Sequence, residues 1–297
     1  MTALRWARVV LLVVLGAGFR ASACTVFSDS QGDAVLAGRN WDMFDEAVGV
    51  PVMWVVPARD STFGRICFGR HDDCEDGMND QGLFVAIAAT PPDGAFKSRQ
   101  APVQCPVALD HLLAHCATVD EATAWWEKQA NPAINSSLAR QRWVIFGIKG
   151  AWAWKNSGVG GHILMADKGG NSVVCEWRKG KLKVIRKTGR YQLITNFMLS
   201  KPDVGGPSCP RFAAATKVLK EAEAPSLARC ASALKASSTK LTRYSVVYDL
   251  ARGHAQVYCG ARFDKAQTIH LSEELRKGAH EAKLDALSMA STKLAPE

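Results

Sequence analysis

An α+β layered domain is predicted from three features of the sequence. Runs of β-prone residues fill the first part of the chain, separated by Gly, Asp, Asn and Pro. Helical segments then come in adjacent pairs rather than singly between strands. Strands return after each pair, and strands first, then helices, then strands is the order of an α+β layered arrangement. There is no internal repeat, no low-complexity run and no convincing boundary between two domains.

The elements follow in order. Thr25-Val26-Phe27, Ala34 to Ala37 and Val52 to Val56 read as strands, and Gly82 to Thr90 is an apolar run of strand character. Pro106 to Cys116 and Val119 to Lys128 read as helices, the second with Asp120 as N-cap. Strands are expected at Trp143 to Ile148, His162 to Asp167, Ser172 to Trp177, Lys181 to Ile185 and Tyr191 to Ile194. Asp167 to Asn171 has the composition of a hairpin turn, and Gly158 to Gly161 reads as another turn. Lys201 to Pro210 is loop-like. Helices at Arg211 to Glu223 and Ser226 to Ala236 precede a strand pair, Tyr244 to Leu250 and Ala255 to Cys259. Gln267 to Leu271 is a last short strand, and the chain from about Ser272 reads as a charged helix or a peripheral tail.

Composition narrows the function classes. The 297 residues are 47% apolar and 22% charged, which suits a domain with a sizeable core and excludes a disordered chain. Arg5 and Arg8 precede the apolar run Val9 to Phe19, and Ala21-Ser22-Ala23 supplies small residues before Cys24. This is the layout of a secretory signal peptide cleaved after Ala23, so a periplasmic or secreted protein is expected. Residues 24–297 would then form one domain. Cleavage would remove Arg5, Arg8 and Arg20 and lower the formal charge from +9 to +6. Neither that charge nor the stretch Lys179 to Lys187, in which apolar residues alternate, points to nucleic acid. No later segment reaches membrane-spanning length. His111 and His115 are too few to hold a metal, and no metal or organic cofactor is expected.

Cleavage would make Cys24 the first residue and combine two groups on it. The thiolate is a nucleophile, and an α-amine, with a reference pKa of about 7.7–8.0, can act as a general base near neutral pH. Such a site needs a carboxylate to orient the amine, a cation near the sulfur and donors for an oxyanion. Arg39 and Asp42 lie in Gly38-Arg39-Asn40-Trp41-Asp42, after a strand that can hairpin back onto Thr25-Val26-Phe27. Taken singly, each is as readily a solvated surface charge.

Together these residues resemble the start of the choloylglycine hydrolase family, linear amide hydrolases of the N-terminal nucleophile class that include bile salt hydrolases and penicillin V acylases. Further similarities come in order: Asp76-Gly77-Met78-Asn79-Asp80-Gln81-Gly82-Leu83, Ile194-Thr195-Asn196, Pro210-Arg211-Phe212 and Tyr244 to Leu250. The resemblance implies a four-layer αββα sandwich of antiparallel sheets. It implies Cys24 as nucleophile and base, Asp42 orienting the amine, and Arg39 polarising the thiolate. It also implies Asn196 as oxyanion donor, Arg211 tuning the electrostatics, and a backbone oxyanion donor at Ala89. The substrate would be an N-acylated small molecule; the acyl and amine groups are not specified, and a homo-oligomer is neither required nor excluded.

Two other readings stand beside the hydrolase. A related acyltransferase would pass the acyl group to an amine. A binding protein of the same fold would use Cys24 as a lipid anchor or as half of a disulfide. The cysteine count, nine, bears on this: with Cys24 reserved as nucleophile, eight remain, enough for up to four disulfides. Cys67 and Cys74, near in sequence, are the first pair to test.

Overall fold

Period-two alternation along the strands decides the layers of the computed structural model, which describes residues 24–43, 50–70, 73–90, 105–128, 160–178, 181–202, 208–221 and 223–285. In β6 (Leu83–Thr90), Phe84, Ala86 and Ala88 face one side while Leu83, Val85 and Ile87 face the other. Both sides are buried, so the strand reads as continuously apolar. β2 (Ala34–Asp42) does the same: Val35, Ala37 and Trp41 point one way and Leu36 the other.

Two antiparallel sheets result. The first has six strands in the order β10-β1-β2-β11-β12-β13: β10 (Tyr191–Ile194), β1 (Thr25–Gln31), β2, β11 (Thr242–Asp249), β12 (His254–Cys259) and β13 (Gln267–His270). The second has eight, ordered β14-β3-β4-β5-β6-β7-β8-β9. These are β14 (His280–Lys283), β3 (Val52–Val56), β4 (Arg65–Arg70), β5 (Asp73–Asn79), β6, β7 (Gly160–Asp167), β8 (Ser172–Arg178) and β9 (Lys181–Arg186). One core lies between the sheets, built on Val26, Trp41, Phe68, Met78, Phe84, Leu164, Tyr244 and Tyr248. A second lies between the eight-stranded sheet and helices α1 (Cys105–His115) and α2 (Val119–Lys128). A third joins the six-stranded sheet to α3 (Pro210–Glu221) and α4 (Leu227–Ser237). Three cores separate four layers, and the architecture is the expected αββα sandwich.

Two glycines of the motifs are required by close approach. A Cβ on Gly38 would stand 2.4 Å from the Phe27 ring, and one on Gly77 would stand 2.3 Å from the Ile66 carbonyl oxygen. Neither gap admits a methyl group.

Several expectations change. The stretch Arg65 to Asn79, to which no element is assigned from the sequence and of which only Asp76 to Asn79 is read as a motif, forms β4 and β5. Its charges are taken up in ion pairs: Asp76 is fully buried against Arg39 of β2, and Arg70 meets the partly exposed Asp73. Helix α2 begins at Val119, so Asp120 lies in its first turn; Thr118 Oγ1 accepts from the Glu121 amide instead. Gly160 and Gly161 belong to β7, not to a turn. The chain beyond Ser272 is not wholly peripheral: after α5 (Leu271–Arg276), β14 pairs with β3 as the edge of the eight-stranded sheet and Leu284 is buried. The strand expected at Trp143 to Ile148 lies outside the described residues. No disulfide is present among the described residues; Cys67 and Cys74 sit side by side as thiols between the eight-stranded sheet and α1.

Candidate active site

The β1–β2 ladder brings the first three site residues together. Thr25 pairs with Asn40 and Val26 with Arg39. One step further along the same register sets Cys24 opposite Trp41, next to Asp42. Alternation along β2 turns Arg39 inward with Val35, Ala37 and Trp41, so its guanidinium lies in the core between the sheets and is fully buried.

Buried arginine needs compensation, and its partners define the site. Arg39 Nη2 lies 3.8 Å from Cys24 Sγ, and Nη1 donates to the Ile87 carbonyl. Its Nε stands 2.8 Å from Asp76 Oδ1, and Nη2 is 3.6 Å from Glu75 Oε2. The Nε–H is not aimed at Asp76 well enough to count as a hydrogen bond, so that contact is ionic. Asp76 instead receives the phenol protons of Tyr244, at 2.5 Å, and of Tyr248. Burial opposes the charge on Arg39, but Asp76 and then Cys24 outweigh it and hold the guanidinium above its usual pKa. The cation beside the sulfur is therefore permanent.

Asp42 is fully buried and accepts from Thr242 Oγ1 at 2.5 Å, leaving Oδ2 without a hydrogen-bond partner. Burial pushes its pKa up to about 6, against the Thr242 hydrogen bond and the charges of Arg211 and Arg39. A buried carboxylate oxygen with no donor is costly, and it is the natural seat for an ammonium.

The second half of the site is carried by loops and a helix start. Arg211, in the first turn of α3, donates through Nη1 to the Cys24 carbonyl at 2.5 Å and to Thr25 Oγ1 at 3.5 Å. Its Nη2 donates to Asn196 Oδ1 at 2.8 Å, which fixes which end of that amide is oxygen. Asn196 Nδ2 donates to the Ala89 carbonyl at 2.8 Å. An amide nitrogen has two protons, so one remains for a ligand.

Ala89 lies near the end of β6, beyond the last β5 partner, which faces Ala86. The carbonyls of Ile87 and Ala89 go to Arg39 and Asn196, so these residues turn their polar groups away from β7. In an antiparallel strand a residue's N–H and C=O point the same way. The Ala89 N–H therefore lies on the same side as Asn196 Nδ2.

The six expected residues are thus brought into one region. Asp76, Tyr244 and Tyr248 belong to the sequence motifs without a role implied there, although Tyr244 and Tyr248, four apart on one strand, necessarily share a face. Asn40, from the same motif as Arg39, faces the opposite layer and donates to the Leu234 carbonyl of α4 at 2.8 Å. Among the described residues no group of three or more His, Cys, Asp or Glu is arranged for a metal; His111 and His115 stack on each other at 4.5 Å and His111 on Trp125. No described helix is long and apolar enough to cross a membrane.

Four layers with two antiparallel inner sheets are the architecture of the N-terminal nucleophile hydrolase fold. The family model described as "acyl-coenzyme A:6-aminopenicillanic acid acyl-transferase" matches residues 29–270, and the chain belongs to that family. Solved structures bear out the fold. Penicillin V acylase from Agrobacterium tumefaciens is 18% identical, with a TM-score of 0.62, covering 88% of this chain and 91% of its own. A variant of conjugated bile acid hydrolase from Clostridium perfringens is 14% identical, with a TM-score of 0.66, covering 88% and 97%. The Caenorhabditis elegans ortholog of N-acylethanolamine-hydrolyzing acid amidase is 15% identical, with a TM-score of 0.52, covering 77% and 93%. No curated protein sequence matches the chain.

Proposed function

We propose that the chain is an exported amidohydrolase that cleaves a linear C–N amide bond of an N-acylated small molecule, with Cys24 as its N-terminal nucleophile. The observation that carries this reading is the convergence on Cys24. Arg39 stands at its sulfur, Arg211 holds its carbonyl, and the buried Asp42 Oδ2 lacks a donor at the end of the neighbouring strand. The family match begins at residue 29, so the role of Cys24 rests on this geometry and on the processing signal before it. The acylases and hydrolases of similar fold add support.

In the mature chain the α-amine of Cys24 sits beside Asp42, which orients it, and takes the thiol proton. Arg39 favours the thiolate. The sulfur attacks the amide carbonyl, and the oxyanion meets the spare Nδ2 proton of Asn196 and the Ala89 N–H. The ammonium protonates the departing amine as the C–N bond breaks, leaving a thioester on Cys24. Water, deprotonated by the same amine, releases the acid and restores the thiol. None of these steps calls on a metal or an organic cofactor.

Mass spectrometry of the exported protein should find Cys24 as an unmodified first residue. A panel of N-acyl substrates should release amine with the wild type and not with Cys24→Ala. A lipid-modified or disulfide-bonded Cys24, or a folded Cys24→Ala variant that still cleaves, overturns the proposal. The description of the matching family favours one second reading, acyl transfer to an amine. Adding an amine acceptor and comparing new amide with free acid separates the two.

A further inference from the structure

His162 and Glu176 form a fully buried pair outside the machinery described above. They face each other across β7 and β8, with His162 Nδ1 3.0 Å from Glu176 Oε1. His162 Nε2 lies 2.7 Å from the Thr195 carbonyl. A carbonyl only accepts, so the Nε2–H donates in that contact. Glu176 spends both oxygens on the same segment: Oε1 accepts from the Leu199 amide at 2.6 Å and Oε2 from the Ser200 amide at 3.0 Å. Burial pushes the Glu176 carboxyl up, but His162 and Ser200 more than reverse this and keep it ionised. Asn196 lies inside the segment held at both ends. Arg178 Nη1 also holds the Ser200 carbonyl, and Thr195 Oγ1 meets Cys209 Sγ at 3.3 Å, so the pair is the buried anchor of a wider set of ties.

We propose that His162 and Glu176 are positioning residues for the reaction, clamping Thr195 to Ser200 so that the Asn196 amide is held in place as an oxyanion donor. The inference rests on the proposed hydrolase reading. An isolated buried ion pair is weak evidence of stabilisation. A pair that is joined through one contact and turns its three other polar atoms to one loop has a geometric purpose.

The test uses His162→Ala, His162→Gln and Glu176→Gln in the full chain. Displacing an oxyanion donor lowers turnover without removing substrate contacts, so kcat should fall about 10–100-fold while KM stays within about twofold. The rate of Cys24 alkylation by iodoacetamide should be unchanged, because Arg39 does not touch the clamp. His162→Gln, which can keep a donor towards Thr195, should recover part of kcat. Amide exchange at Leu199 and Ser200 should accelerate in His162→Ala while β7 stays protected. Unchanged exchange at those two amides in a folded variant, or unchanged kcat, overturns the inference. So does a parallel fall in kcat and alkylation, which marks general disruption. If His162→Ala does not fold, Glu176→Gln carries the same readouts. A wild type that alkylates at Cys24 yet cleaves no N-acyl amide overturns the hydrolase reading, and the exchange measurement still decides the clamp.

Discussion

The two halves of the site are built by different means. Cys24, Arg39 and Asp42 are set by the β1–β2 register, and each is at most 3% exposed. Asn196 and Arg211 are half-buried and are set by side-chain hydrogen bonds among a loop, a helix start and the end of β6. A backbone ladder fixes residues at strand spacing and keeps water out, so charges in the first half act at low dielectric. The second half is less deeply buried, and in the proposed reaction it is the part that would meet the substrate. In that reaction the nucleophile would be prepared by a rigid sheet, and the oxyanion received by parts that are tied on individually.

The largest expected effect breaks the rigid half. Cys24→Ala should lower amide cleavage about a thousand-fold or more, since no neighbouring group replaces the sulfur. The variant should keep the wild-type melting temperature in a thermal scan.

Asp42 tests whether burial in the rigid half costs stability. With Cys24 still joined to the preceding residues, Asp42 titrates near 6 rather than at the ordinary 3.8. The folded state then holds the proton more tightly than the unfolded state. That contribution is present below about pH 4 and is lost as pH rises through about 6. Two pK units correspond to about 3 kcal/mol. Denaturant titrations at pH 4 and pH 7 should show the uncleaved chain losing stability of this order relative to Asp42→Asn. Cleavage after Ala23 should shrink the difference by supplying an ammonium. An equal difference at both pH values would mean that Asp42 is not held at a raised pKa.

Asn79 sharpens the contrast, because it belongs to the same motif as Asp76 but holds only the scaffold. Its Nδ2 donates to the Leu113 and Cys116 carbonyls, and its Oδ1 accepts from the Gln81 and Leu83 amides. Asn79→Ala should destabilise the protein by about 2–3 kcal/mol, leaving buried groups without partners. The alkylation rate of Cys24 in the folded fraction should not change.

The smallest effect separates structure from tuning within the rigid half. The phenols of Tyr244 and Tyr248 draw charge from Asp76, which leaves Arg39 more of its field at the sulfur. Tyr248→Phe should slow Cys24 alkylation at neutral pH by about twofold to tenfold, at a cost near 1–2 kcal/mol in stability. Faster alkylation would show that Asp76 does not oppose Arg39 at the sulfur.

Much of this was legible in the sequence. The β-prone runs, the breakers between them and the paired helices sufficed for an α+β layered domain, and the four layers were implied by the family resemblance. Cys24 and Asp42 are 18 residues apart, a separation that suits a hairpin, and the hairpin is present. Local spacing determines such features because a strand pair closed by a short turn has few registers. Tertiary structure decided the rest. Arg65 to Asn79 is rich in charge and is assigned no element from the sequence, and it is the opposing Arg39, Tyr244 and Tyr248 that let Asp76 sit in a core. His162 is a lone histidine in an apolar strand, with no local signal of its partners Glu176 and Thr195. Short-range pattern sets what each segment can become. Which buried charges meet is settled by contacts between residues far apart in the chain, and burial is tolerable for each of them only once the others are in place.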